Sequence, residues 1–267
     1  VNPDVCARWE TELNQAAFPW DYHALPTVEI LTEEQLFDCD MFVFCASKGI
    51  PPVGSQVQDV RMVQYEANKG IISIFAKKAR DAKFEGLFAV VSDPVDPLCH
   101  AAFLASNEDE AGIFDGKGLR PEQVQGYGLG VMNARAAYYA KQNPNFADFL
   151  TEGRAFGPHG QDLVIANSIA NYDDERSKAL TKLAIEANLR MRELGFKPYV
   201  APAISSAAIS LLLTLRGEWH YSSNFLNGVY MGSKNRMILG VEIESLPLPY
   251  ALFKRIQKAY DGLEMIR

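Results

Sequence analysis

The sequence predicts an α/β fold: a parallel sheet in the first half, followed by an α+β second half. Three observations carry this. Two continuous apolar runs, MFVFCA (41–46) and GLFAVVS (86–92), end in small residues, as strands covered on both faces do. Between them VRMVQYEANKGIISIFAKKARDA (60–82) has helical spacing and a basic C-terminal end. Beyond about residue 130 the pattern changes to helices mixed with short strand-like runs.

In chain order, TVEIL (27–31) reads as a short edge strand. Residues 41–46, 60–82 and 86–92 then form a strand, a long helix and a second strand, a βαβ unit whose crossover is right-handed. Ligands of such sheets bind at the carboxyl ends of the strands, which directs attention to 46–59 and 92–97. SNEDEAGIFDGKGLRPEQ (106–123) reads as a loop or insertion. Helices are expected at 133–143, at 174–195 with Gly195 as the C-terminal stop, and at 202–217. NGVYMG (227–232) and MILGVEIESL (237–246) read as strands, and a closing helix starts after Pro249.

With 267 residues, 48% of them hydrophobic, the chain can build one large or two modest cores. A net charge of -7 argues against duplex nucleic acid or an anionic membrane as partner. No apolar run approaches the roughly 20 residues of a membrane span, and the first residues lack a basic-then-apolar signal pattern. Cys6, Cys39, Cys45 and Cys99 are scattered and read as buried thiols of a cytoplasmic protein, with neither a disulfide framework nor a metal site.

GYGLGVMNARAAYYA (126–140) places glycines at alternate positions ahead of a helix. Such a turn can cradle a phosphate, because helix N-terminal N–H groups lack partners and the dipole favours an anion. The residues alone leave open whether it does.

An ordered set of motifs narrows the choice. DMFVFCAS (40–47) leads into a Pro/Gly loop and Arg61, then VVSDPVD (90–96), NAR (133–135) and GPHG (157–160). This set resembles the NAD-dependent lactate/malate dehydrogenase family. There, a strand ending in Thr-Ala-Gly leads to a mobile arginine-bearing loop, then to Asn-Pro-Val-Asp, Asp-x-x-Arg and Gly-Glu-His-Gly. The resemblance runs from about residue 37 to 232. It implies a Rossmann-type sheet, with 1–105 as the remainder of a dinucleotide-binding domain and 106–267 as an α+β substrate and catalytic domain. In this register the first βαβ unit, with its G-x-G-x-x-G turn, is absent from the given chain. The glycines at 126–130 become the turn into the active-site helix rather than a phosphate cradle.

The resemblance further implies hydride transfer between NAD, or alternatively NADP, and a small 2-oxo or 2-hydroxy carboxylic acid, by a homodimer or homotetramer. It makes Ala46, Ser47, Ser92 and Asp93 cofactor-binding residues. Arg135 becomes the substrate clamp, suited by its planar fork, although a helix arginine held in an ion pair would look the same in sequence. Arg61 becomes the lid residue that polarises the carbonyl, and His159 the proton donor. Val200 falls where the family often has a threonine beside the substrate. The loop from Ala46 to Arg61 is longer than usual in the family, so its specificity residues cannot be carried over from the resemblance; Lys48 and Ser55 are named on it without a family counterpart.

Two departures from the family bear directly on the histidine. The aspartate that partners the catalytic histidine is replaced by Met132, and Asp93 replaces the asparagine of Asn-Pro-Val-Asp. A thioether cannot hold an imidazole tautomer. Asp93 is therefore the candidate histidine partner, with Asp162 the other nearby carboxylate. Met132 keeps open a catalytically silent relative that binds a dinucleotide or a carboxylate without turnover, and fold alone also admits unrelated chemistry.

Overall fold

The computed structural model describes residues 2–48, 60–196 and 201–266, and for Val60, Arg61, Met62 and Ala201 the backbone alone. The chain divides into two compact units, Val1–Cys39 and Asp40–Arg267. In the first, α1 (Pro3–Leu13) is capped by the Asn2 side chain, which accepts the Asp4 N–H, with Pro3 in the first turn. TVEIL is not a strand. Its backbone is held by side chains of the α1 region: the Asn14 amide brackets Val28 at 2.7 and 2.9 Å, and Glu10 Oε1 accepts the Ile30 N–H at 2.9 Å. A side-chain amide has thus taken the place of a neighbouring strand.

The second unit is built on one six-stranded sheet. β1 (Met41–Phe44), β2 (Leu87–Val90) and β3 (Val124–Gly126) run parallel, with Phe44 opposite Val90 and Val90 opposite Gly126. All of β2 is buried, as its unbroken apolar run requires. α2 (Val60–Asp81) joins β1 to β2, and α3 (Val95–Asn107) follows β2 and packs on α2. α4 (Leu129–Gln142) begins three residues after β3. It is followed by α5 (Phe149–Glu152), the hairpin strands β4 (Arg154–Phe156) and β5 (Val164–Ala166), α6 (Asp174–Glu193) and α7 (Ser205–Leu215). β6 (His220–Leu226), β7 (Val229–Met237) and β8 (Val241–Ile243) then return antiparallel to the main sheet, and α8 (Tyr250–Glu264) closes the unit.

The antiparallel half joins the parallel half directly, through β3 against β6 at Gly126 and Ser223. β6 reads as polar because HYSSNFL is rich in Ser and Asn, residues disfavoured in strands unless their groups are paired. Here Ser222 and Asn235 bond each other across the β6–β7 ladder. MILGVEIESL splits into the end of β7, a turn at 238–240 and β8. The cysteines are free, and Cys99 is the buried one; Cys39 and Cys45 are exposed, contrary to the expectation of four buried thiols. No described helix is long and apolar enough to cross a membrane.

Candidate active site

The carboxyl ends of β1 and β2 are tied into one ledge. The Val91 N–H donates to Phe44 O at 2.8 Å, and Ser92 Oγ donates to Ala46 O at 2.8 Å. Asn68, fully buried on α2, locks the ledge from below. Its Oδ1 accepts the Lys48 N–H at 2.9 Å, and its Nδ2 donates to Asp93 O at 2.8 Å and Ser47 Oγ at 3.3 Å. Ala46, Ser47 and Lys48 are exposed there. Sequence reasoning missed Asn68, although it left a trace: Asn68 interrupts a helical stripe of buried residues, Tyr65, Ile72, Ala76 and Ala79. A polar group on such a face has to be hydrogen-bonded.

β3 extends this ledge, its Tyr127 N–H donating to Val90 O at 2.9 Å. The glycine stretch then divides among three tasks. Gly126 ends β3, Gly128 caps α4, and Gly130 lies in the first turn of that helix. Gly128 has an ordinary negative φ, so close packing is what requires it: a Cβ there would meet His159 Cβ at 2.8 Å and Val95 Cγ2 at 2.9 Å. Gly128 thus lets helix and histidine loop approach each other.

The His159 loop is pinned at both flanks. Gly157, with φ +90°, donates its N–H to Gly232 O of β7 at 2.9 Å, a left-handed conformation that favours glycine. On the other side Leu163 N–H returns to Gly160 O. His159 Nδ1 lies 3.0 Å from Asp93 Oδ1, and its backbone N–H donates to Asp96 Oδ2 at 3.0 Å. Asp96 is only 3% exposed and accepts a second bond at Oδ1 from Ser223 Oγ, at 2.6 Å. Burial pushes the Asp96 carboxyl above its ordinary value, opposed by the Ser223 and His159 bonds. Asp96 closes the VVSDPVD motif, but its grip on the His159 main chain and its partner Ser223 were not legible beforehand, because these residues are distant in sequence and meet only in the fold.

Arg135 lies on α4, half-buried. Its Nε is buried without a hydrogen-bond partner, and its Nη1 contacts the Met132 sulfur at 3.6 Å. Among the described residues no carboxylate pairs with it. Burial pulls its guanidinium below the ordinary value, and the charges of Asp93 and Tyr139 oppose this. Met132 itself is 2% exposed, in a core cluster with Leu129, Leu163, Ile165 and Leu180. A recess opens beside His159, between Tyr65 of α2, Pro94, Pro158 and Leu263 of α8, and Asp162 lines it too.

The structure therefore brings His159 and Asp93 into contact, sets Arg135 within electrostatic reach of Asp93, and places Ala46, Ser47 and Ser92 on the adjoining ledge. Arg61 falls in the first turn of α2, but its side chain, like Val200 and Ser55, lies outside the described residues. His220, deep in the sheet, bonds Thr214 Oγ1 and Glu218 O.

No family model matches the chain. In sequence it is 27% identical over 188 residues to a probable malate dehydrogenase of Campylobacter jejuni, covering 65% of this chain and 57% of that protein. It is 26% identical over 158 residues to an L-lactate dehydrogenase of Pediococcus pentosaceus, covering 59% and 43%. The matches thus span about half the length of these curated relatives. Among solved structures, malate dehydrogenase of Archaeoglobus fulgidus, in complex with NADH, superimposes with a TM-score of 0.66 at 18% identity, covering 87% of this chain and 76% of that one. Malate dehydrogenase of Aeropyrum pernix gives 0.69 at 16% identity, with 88% and 77% covered. The minor L-lactate dehydrogenase of Enterococcus mundtii gives 0.66 at 18% identity, with 88% and 77% covered. With its mixed sheet and helices, the chain has the fold of the malate and lactate dehydrogenases, and its sequence is similar to one of each.

Proposed function

We propose that this protein is an oxidoreductase acting on the CH–OH group of a 2-hydroxy carboxylic acid, with NAD(H) as the hydride partner. The observation that carries the reading is Arg135, a half-buried cation with an unpartnered Nε and no carboxylate of its own among the described residues. A buried charge is costly unless paired, and a substrate carboxylate is the pairing its planar fork fits.

NAD would rest on the ledge formed by Ala46, Ser47, Ser92 and Asp93, and it supplies hydride acceptance and donation at its nicotinamide ring. The donor set suits that ring: exposed main chain at 45–48 and a carboxylate able to accept from a carboxamide N–H. Arg135 holds the substrate carboxylate. His159 gives or takes the proton of the substrate oxygen at Nε2, because Nδ1 is committed to Asp93. An ionised Asp93 only accepts, which fixes the Nδ1–H tautomer, the task Met132 cannot perform. Arg61 polarises the carbonyl, and Val200 adds an apolar wall to the substrate pocket. The reading includes a homodimer or homotetramer in the cytoplasm.

The test is NADH oxidation across a panel of 2-oxo acids, with Arg135→Gln as the diagnostic variant. Loss of a charge-assisted pair of about 1.5–3 kcal/mol should raise KM for the 2-oxo acid roughly ten- to a hundredfold. Equal KM values in parent and variant would remove Arg135 from the site. The second reading, a silent relative that binds without turnover, is favoured by Met132 being committed to the core. It predicts 2-oxo acid binding that Arg135→Gln weakens, with no NADH consumed.

A further inference from the structure

We propose that Asp96 and Ser223 are positioning residues for His159, forming a second carboxylate hold that keeps the imidazole in register with Asp93. This rests on the reading of His159 as the proton-transferring residue.

Asp93 and Asp96 are three residues apart at the start of α3, and both reach the same histidine. Asp93 takes the ring at Nδ1, while Asp96 takes the main chain at the His159 N–H. The second oxygen of Asp96 accepts from Ser223 Oγ. Ser223 stands opposite Gly126 in the β3–β6 pairing, so the hold is referred to the centre of the sheet rather than to another loop. Gly128 crowds a further side, where a built Cβ would meet His159 Cβ at 2.8 Å, leaving the His159 Cβ little room to drift. A buried carboxylate is costly to desolvate, and an apolar residue would anchor a loop at lower cost. What a carboxylate adds here is two directed acceptors on one rigid fork. The ring's Nδ1 contact is partly open, with Asp93 side-chain exposure of 50% against 21% for His159. The ring therefore depends on its main chain being fixed from below.

The readout is the ring tautomer of His159, in full-length protein carrying 15N-histidine, by long-range proton–nitrogen correlation at a pH where the ring is neutral. Only four histidines contribute signals. In the parent, His159 should show the Nδ1–H tautomer. Asp96→Ala should give a mixture of tautomers at His159 and leave His220 unchanged as a marker of the intact sheet. Asp96→Asn keeps an oxygen for the His159 N–H and an amide for Ser223, so it should restore the parental signals. Ser223→Ala removes one bond and should shift the His159 ring in the same direction as Asp96→Ala; it serves alone if Asp96→Ala does not fold. A folded Asp96→Ala, or Ser223→Ala in its place, with parental His159 ring signals overturns the proposal. In turnover, Asp96→Ala should lower kcat on the order of a hundredfold with KM for the 2-oxo acid unchanged. If the parent oxidises no NADH with any 2-oxo acid, the dehydrogenase reading fails, while the ring tautomer still decides the role of Asp96.

Discussion

At the scale of single residues, the chemistry turns on an exchange of partners. The position where the family resemblance expects a carboxylate beside the histidine is Met132, packed among Leu129, Leu163 and Leu180. A carboxylate three residues from Asp96 instead meets the ring, at 3.0 Å. Met132 and Asp93 are 39 positions apart in sequence, and nothing in either motif alone says which of the two reaches the imidazole. The substitution Asp93→Asn tests the exchange. An amide can turn either its oxygen or its N–H to Nδ1, so it no longer fixes the tautomer. Turnover should fall by on the order of 10²–10⁴-fold, and the pH–rate profile should shift. An unchanged profile and rate would show that Asp93 has no part in proton transfer.

At the scale of elements, the strand–turn–helix 124–142 sets the spacing between the histidine loop and the helix that carries Arg135. Its alternate glycines suggested a phosphate cradle when read as a sequence, and the family register reassigned them to a turn. The structure adds the physical cause, since Gly128 is small because His159 occupies the volume a side chain would need. Gly128→Ala should therefore act twice. Overpacking should cost about 1–3 kcal/mol of stability, measured by denaturant unfolding, and the displaced His159 should lose kcat with little change in KM. A variant with parental kcat would show that the loop yields without cost to the histidine. α2 teaches a complementary lesson. Its apolar stripe made the helix legible, and Asn68 on that stripe marked a polar anchor, but its partners on two different loops could not be named from spacing.

At the scale of the whole molecule, one sheet carries both the parallel strands that build the ledge and the antiparallel strands that brace the histidine loop. The far end of α2 is fastened to the loop after α3 by Arg80, which grips Asp115 with Nη1 at 2.7 Å and Nη2 at 2.6 Å and also donates to Ser106 O at 3.1 Å. The Arg80 bonds hold the Asp115 carboxyl well below the usual carboxylate range. A carboxyl depressed in the folded state stabilises the fold above its unfolded value of about 4, and that contribution fades as pH falls towards the folded value. Asp115→Asn should therefore lower Tm at neutral pH. Its deficit against the parent should narrow as pH drops below about 4. A pH-independent difference in Tm would show that the bond pair, not the ionisation, is what matters.

The sequence by itself determined the βαβ unit, the helices of the second half and the order of the motifs, because apolar periodicity and turn residues act locally. It also yielded His159, Arg135 and Asp93 as candidates, since each sits in a short motif. Only the tertiary structure decided which carboxylate meets the imidazole, that Asp96 and Ser223 grip its main chain, that TVEIL is held by side chains instead of a strand, and that polar β6 belongs in the sheet. These outcomes depend on pairings between distant segments, where a buried polar group is stable only if a partner from elsewhere in the chain arrives to satisfy it.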